Sequence, residues 1–317
     1  MNASREGDSC AVEEVRRFEG AVPLTRPFNH LIAGTVFAQK FGRWPLPEND
    51  PAASVNDLIF GRMIDPHWSA LQRALVDKTT AKQEAQRLCP SLNVPETLLV
   101  IPAEQVRSQQ DLYERLESFI GTEVIAKPSH ASGGTVFLRD GIAPNDLRKL
   151  YELGTFDYAG IMREMQYWQL PRNVIVEALI PTKGAAVPDD YKFHCIHGEP
   201  LLCQVDHARF GRSWSRLFRV PGFEPMDPRD GLTTPVGYTL PHDDRLAEMT
   251  SAARALAAPF DYVRVDLYDG SDGLYFGELT FTAAASLGIA PSAAGCHRET
   301  PTHREYSRTL MKAFRRD

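Results

Sequence analysis

No run of about 18 apolar residues occurs anywhere in the 317-residue sequence, so a membrane-spanning helix is not expected. The stretch from Met1 to Glu19 is polar and charged and has no apolar core of a secretory signal, which points to a cytoplasmic protein. A basic excess is also missing. Acidic residues outnumber basic ones, 41 to 35, and the net charge of −6 speaks against nucleic acid as a partner. No CxxC pair is present among Cys10, Cys89, Cys195, Cys203 and Cys296. Their odd number reads as reduced, mostly buried thiols rather than a disulfide framework. Neither GxGxxG nor GxxxxGK[ST] appears, which removes the common dinucleotide and Walker-type phosphate sites. There is no internal repeat and no low-complexity tract.

What is there is an ordinary globular balance, 43% hydrophobic and 24% charged, in a chain long enough for one large domain or two to three subdomains. Pro23, Pro27, Pro45, Pro47 and Pro51 predict an irregular segment from Ala21 to Pro66. Helices are expected over Asp77–Leu88, Ala103–Phe119, from a cap at Asp243 to Ala257, and over His303–Arg315. Strands are expected at Val94–Ile101 and Asn173–Leu179. Three hairpins are expected as well. One joins Thr122–Lys127 to Thr135–Leu138 through a small polar tip, and another joins Tyr191–Ile196 to Leu201–Asp206 through HGEP. The third joins Tyr262–Tyr268 to Leu274–Phe281 through GSDG. Hairpins interleaved with helices imply an α+β architecture rather than a doubly wound parallel sheet.

The third hairpin carries the most chemistry. By strand alternation Val263, Val265 and Leu267 share one face and Arg264 and Asp266 the other, with Glu278 and Thr280 on the partner strand. If the apolar sides face the core, two carboxylates and a hydroxyl converge as hard oxygen donors suited to Mg²⁺. The competing picture is a solvated outer face with a cross-strand Arg–Asp pair. Lys127 ends an apolar strand just before Ser132-Gly133-Gly134. Small residues there let backbone N–H groups approach phosphate oxygens, unless this is a plain turn beside an exposed lysine. Glu177, inside the apolar strand NVIVEAL, needs either a bonded partner such as an adenine amino group or an edge position facing water. Asp190 and Lys192 share a face and suit a ribose hydroxyl and a phosphate, or form an ion pair worth little. Arg209, Arg212, Arg216 and Arg219 crowd one stretch, where they stabilise phosphate charge or form a basic loop. His194 and Cys195 point to opposite sides of their strand, so a zinc site is not expected there.

Six segments resemble, in order, those of the ATP-grasp enzymes: DKTTAK (Asp77–Lys82), AKPSHASGG around Lys127, VIVEALI around Glu177, DYKF (Asp190, Lys192), RVDLY (Arg264, Asp266) and FGELTF (Glu278). The wording of PDDYKFHCIHGEPLLCQVD and of FDYVRVDLYDG with LYFGELTF is similar to the TupA-like branch, associated with teichuronopeptide biosynthesis. The resemblance covers roughly Ser54 to Gly288. It implies an ATP-grasp fold in which two α+β subdomains grip ATP after a short N-terminal region. The expected division is 1–76 for that region, 77–172 for the central subdomain with its glycine-rich lid, and 173–317 for the subdomain with the metal site. It implies that Lys78 and Lys127 hold ATP phosphates and that Ser132, Gly133 and Gly134 form the lid. Glu177 and the backbone of Ala178 would read adenine, Asp190 the ribose, and Lys192 and Arg209 the phosphates. Asp266 and Glu278 would hold Mg²⁺, and Arg264 would stabilise the reacting acyl group. ATP-grasp ligases often carry Asn where Thr280 stands, so Thr280 is a weaker metal donor. The segment TAAASLG after it holds less glycine than the branch leads one to expect.

The resemblance implies an ADP-forming ligase that joins small-molecule carboxylate and amine substrates through an acyl phosphate. ATP and Mg²⁺ would be its cofactors, and a homodimer is admitted as its assembly. Two other readings keep the nucleotide site: a kinase acting on a hydroxyl, and a non-catalytic nucleotide-binding regulator, for which intact metal carboxylates would be unnecessary.

Overall fold

The structure, a computed structural model, describes residues 22–182, 187–207, 214–226, 238–288 and 300–316. The prolines of the N-terminal segment do not prevent helices; they frame them. Helix α1 (Arg26–Phe41) has Pro27 in its first turn, where a missing N–H costs no hydrogen bond. Gly42 ends it in the left-handed region (φ 68°), donating its N–H to the Ala38 carbonyl. Pro45, Pro47 and Pro51 lie in the connection to α2 (Val55–Met63), which starts with a Ser54/Asp57 capping box. The expectation of an irregular Ala21–Pro66 segment is therefore corrected.

Helices α3 (Ala70–Val76) and α4 (Ala81–Leu88) follow. The helix expected from Asp77 starts only at Ala81. The Asp77 carboxylate accepts from the Thr79 N–H and hydroxyl at 2.9 and 2.8 Å, and this local turn competes with helix. The helix expected over Ala103–Phe119 is also broken. Ser108 starts a new helix, α5 (Gln109–Leu116), by accepting from the Asp111 N–H, while 103–105 and 117–119 are short 3₁₀ turns. Two helices the sequence did not signal, α6 (Pro144–Thr155) and α7 (Tyr158–Met162), precede the second half of the chain.

Four strands form the first sheet: β1 (Thr97–Pro102), β2 (Val124–Pro128), β3 (Val136–Phe137) and β4 (Asn173–Ala178). They are all antiparallel, in the order β1-β4-β2-β3. Strand β4, placed by sequence at the start of the last subdomain, thus pairs with the central strands, on both sides. Its back face (Val174, Val176), with Val124 and Ala126, packs on Leu112 and Leu116 of α5 and Leu150 of α6. Gly154 of α6 allows this close approach: a Cβ there would stand 2.5 Å from Val174 Cγ2.

The second sheet holds β5 (Asp190–Ile196), β6 (Glu199–His207), β7 (Trp214–Arg219), β8 (Glu224–Pro225), β9 (Tyr262–Gly270) and β10 (Gly273–Thr280), in the order β10-β9-β5-β6-β7-β8. The β5–β6 turn uses His197 and Gly198, both at positive φ, as tight hairpins of this kind require. Phe193, Cys195, Val263, Val265 and Leu267 form the apolar face, packed on α8 (Asp243–Ala257). Asp243 is the first helical residue of α8 and His242 occupies the cap position, so the expected Asp243 cap is shifted by one. The opposite face is divided. Ile196, Leu202, Leu217 and Tyr262 lie under α2 and α9 (Pro301–Arg315), whereas the remainder carries Asp190, Lys192, Arg264 and Asp266. Cys89, Cys195 and Cys203 are buried free thiols.

Asp57 ties the N-terminal region together. Its buried carboxylate accepts from Arg43 (2.6 and 2.8 Å), the Leu46 N–H and the Ser54 N–H. Burial alone would raise its pKa, but Arg43 and these donors hold it below the ordinary value. We expect Arg43→Ala to destabilise the fold by about 3 kcal/mol, because it leaves a buried carboxylate uncompensated. Chemical denaturation at neutral pH measures this, and a change within error would show the pair to be dispensable.

Candidate active site

A cleft opens between the polar faces of the two sheets. Its walls include Lys78, Lys82, Lys127, Glu177 and Ala178 on one side and Asp190, Tyr268 and Glu278 on the other. Ser132 and Gly133 line it as well. Gly133 and Gly134 have φ of 80° and 70°, in the left-handed region that favours glycine. Gly134 turns away from the cleft, where a Cβ would meet Leu153 at 2.9 Å.

Glu177 is 1% exposed and sits on an interior strand, so the edge-strand alternative is ruled out. Its Oε1 lies 2.7 Å from Lys82 Nζ and its Oε2 lies 2.6 Å from Lys127 Nζ. Burial pushes the carboxyl pKa up, and the two ammonium groups more than reverse this. Lys78 donates to the Ala131 carbonyl at 2.9 Å and lies 6.0 Å from the Tyr167 ring centre; burial lowers its pKa.

On the second sheet Asp190 and Lys192 form a buried pair along one strand. Lys192 also lies 3.2 Å from Asp206 and 3.7 Å from Asp266, so it sits in a ring of carboxylates rather than on a solvated face. Arg264 grips Asp266 through two bonds of 2.7 and 2.6 Å, and its Nη2 reaches Glu278 Oε1 at 3.3 Å and Thr280 Oγ1 at 3.1 Å. The four residues of the third hairpin thus converge. A bulge at Gly277 makes this possible: Phe276 pairs with Leu267, and Glu278, not Gly277, faces Asp266. Arg209 and Arg212 lie outside the described residues. Arg219 pairs with Glu305. His194 is buried against the Tyr306 hydroxyl at 3.1 Å.

Among the described residues no three His, Cys, Asp or Glu side chains gather as a metal cluster. Two carboxylates are nevertheless the donor set Mg²⁺ takes when a nucleotide supplies the remaining oxygens. The Glu278 side chain is 40% exposed toward the cleft, while each Asp266 oxygen keeps lone-pair capacity beyond its Arg264 bond. The residues therefore fit a magnesium ion shared with phosphate. We expect Arg264→Met to destabilise the fold by about 3–5 kcal/mol by uncovering Asp266. Millimolar Mg²⁺ should recover part of that loss, seen in melts with the ion and with chelator. An equal Mg²⁺ response in wild type and variant would count against the carboxylates as metal donors.

Sequence reasoning missed Glu164. It is buried, accepts from Tyr158 Oη (3.1 Å) and Thr282 Oγ1 (2.6 Å), and so joins the segment after β10 to Tyr158, which also bonds Ser132. Its only signal was a glutamate beside Arg163 between apolar residues. Burial pushes its pKa up to about 7. The native state then keeps a proton that the unfolded chain releases, so stability falls as pH rises from about 4.5 to about 7. Glu164→Gln should flatten that part of the stability–pH curve; an unchanged slope would show that the carboxyl titrates normally.

No helix among the described residues is long and apolar enough to cross a membrane. No curated protein gives a significant match. Solved structures with similarity include the ATP-grasp ligase PsnB complexed with minimal precursor. It has a TM-score of 0.38 and 15% identity, over 78% of this chain and 62% of that one. D-alanine–D-alanine ligase from Bacillus anthracis complexed with ATP has a TM-score of 0.38 and 13% identity, over 77% and 67%. VanG D-Ala:D-Ser ligase from Enterococcus faecalis has a TM-score of 0.37 and 14% identity, over 78% and 62%. The chain thus spans less than two thirds of the length of PsnB in that complex and of VanG. A family model described as TupA-like ATPgrasp matches residues 72–290, well over half of the sequence, and the chain belongs to that family.

Proposed function

We propose that the protein is an ATP-dependent, ADP-forming ligase that activates a carboxylate as an acyl phosphate and transfers it to an amine. The observation that carries this reading is the meeting of two unlike walls in one cleft. One bears Lys78, Lys127 and Gly133; the other bears Asp190 and Glu278, with the buried Asp266 joined to Glu278 through Arg264. Carboxylate and triphosphate are both anionic, so a site that brings them together needs cations on one side and a metal on the other.

Lys78 and Lys127 would hold phosphate oxygens, and the N–H groups around Ser132 to Gly134 would close over them. Glu177 and Ala178 border the place proposed for the base, and Asp190 that for the ribose. Asp266, Glu278 and, through water, Thr280 would hold Mg²⁺, which neutralises phosphate charge when bound. Arg264 holds the two carboxylates in register and presents a cation beside them. Lys192 compensates Asp190, Asp206 and Asp266. Arg209 retains the proposed role of a phosphate ligand. The proposed division of the chain keeps the N-terminal region separate from two gripping subdomains, with β4 counted in the central one. Small carboxylates and amines are the proposed substrates, in the cytoplasm.

The test is an ADP-release screen over pairs of carboxylates and amines with Mg²⁺ present. We expect turnover to need both partners. Glu278→Gln should lower kcat by at least about tenfold with a smaller change in ATP affinity, since it removes a charge required at the metal. ADP release with a hydroxyl compound and no amine would mark phosphoryl transfer instead. No response to any nucleotide by a folded protein would overturn the proposal.

A further inference from the structure

Lys82 belongs to no phosphate-binding expectation, yet it stands at the centre of the cleft's electrostatics. It is the second residue of α4, its side chain is 15% exposed, and its ammonium makes two short contacts. One is to Glu177 Oε1 at 2.7 Å and the other to Thr97 Oγ1 at 2.6 Å. The hydroxyl of Thr97, at the start of β1 opposite Glu177, fixes the ammonium on the Oε1 side. Lys127 occupies Oε2. The three side chains form an ammonium–carboxylate–ammonium array with one net positive charge.

That array has a consequence for phosphate binding. Lys127 cannot serve a phosphate at full strength while it is bonded to Glu177. If it were the sole partner of Glu177, moving it to a nucleotide would strand a carboxylate that is 1% exposed, which is strongly unfavourable. With Lys82 anchored on the other oxygen, the carboxylate stays compensated and the exchange becomes easy. Burial lowers the Lys82 pKa, while Glu177 favours its charged form, as a resident counter-ion requires. We propose that Lys82 is a positioning residue: it remains the fixed counter-ion of Glu177, so that Lys127 can leave Glu177 for a phosphate oxygen of the nucleotide. The inference rests on the nucleotide-site reading given above and adds a residue and a partner exchange to it. It is distinct from direct phosphate binding by Lys82, because in this role the effect of Lys82 passes through Glu177.

The experiment is a double-mutant cycle on MgATP affinity by titration calorimetry, using the full chain as wild type, Lys82→Met, Glu177→Gln and the double variant. Lys82→Met should weaken MgATP binding by about tenfold or more when Glu177 is present, since Lys127 is then held as its only counter-ion. On the Glu177→Gln background the same change should cost less than about threefold, because no carboxylate competes for Lys127. The second comparison contains no stranded carboxylate, so it remains readable even if Lys82→Met alone folds poorly. An equal loss on both backgrounds would overturn the inference in favour of direct phosphate contact by Lys82. No loss on either would make Lys82 a bystander. If wild type itself fails to bind MgATP, the nucleotide site falls and this inference with it. Wild-type binding with an unaltered Lys82→Met variant removes the inference alone.

Discussion

A carboxylate in the interior of a sheet has to be neutralised where it stands, and the Glu177 pairs with Lys82 and Lys127 are how this fold does it. The same constraint repeats across the cleft. Lys192 is set among Asp190, Asp206 and Asp266, and Arg264 is bound to Asp266 and Glu278. Each wall is thus an alternation of charges held within ion-pair distance. In the proposed role, an anion entering such a cleft would exchange partners already in place, which would keep the electrostatic reorganisation small.

The apolar backs of the sheets make this arrangement possible. Val124, Ala126, Val174 and Val176 lock the first sheet onto its helices, and Phe193, Val263, Val265 and Leu267 lock the second onto α8. With one face of each strand committed to packing, every second residue is committed to the cleft. Helices α2 and α9 cover one end of the second sheet's polar face and so confine the charged residues to the other end. Arg163, which donates to Asn29 Oδ1 at 3.2 Å and the Pro23 carbonyl at 3.3 Å, ties α1 to the segment carrying Glu164. The N-terminal region is thereby hydrogen-bonded to that segment.

Much of the architecture was legible because its signals are local. Period-two alternation marked the strands of all three hairpins, and HGEP and GSDG marked two of the turns. The α+β class follows from that order of elements. The boundaries that differ do so for reasons that are also local. Pro27 fits a first helical turn rather than breaking the helix, and the Asp77 side chain closes a turn over Thr79 instead of starting a helix. Ser108 starts a new helix by accepting from the Asp111 N–H. Helix α6, which begins at Pro144, buries Leu150 and Gly154 against the first sheet, and α7 is capped by Asp157, which accepts from the Gly160 N–H, and packs through Tyr158 on Tyr167.

By itself the sequence determined which residue types face the same way. Arg264 with Asp266, and Asp190 with Lys192, share faces because the backbone of a strand alternates. It also determined that a small-residue loop follows Lys127. Tertiary structure decided who meets whom. The bulge at Gly277 sets Glu278 opposite Asp266, whereas an unbroken ladder continuing from the Phe276–Leu267 pair would have set it opposite Val265. The pairing of β4 between β1 and β2 turned Glu177 from a candidate surface residue into a buried one with two lysine partners. The meeting of Glu164 with Thr282, 118 positions apart, likewise has no local trace. Register, sheet order and long-range contact depend on the free energy of packing the whole chain, and no short window of residues contains that information.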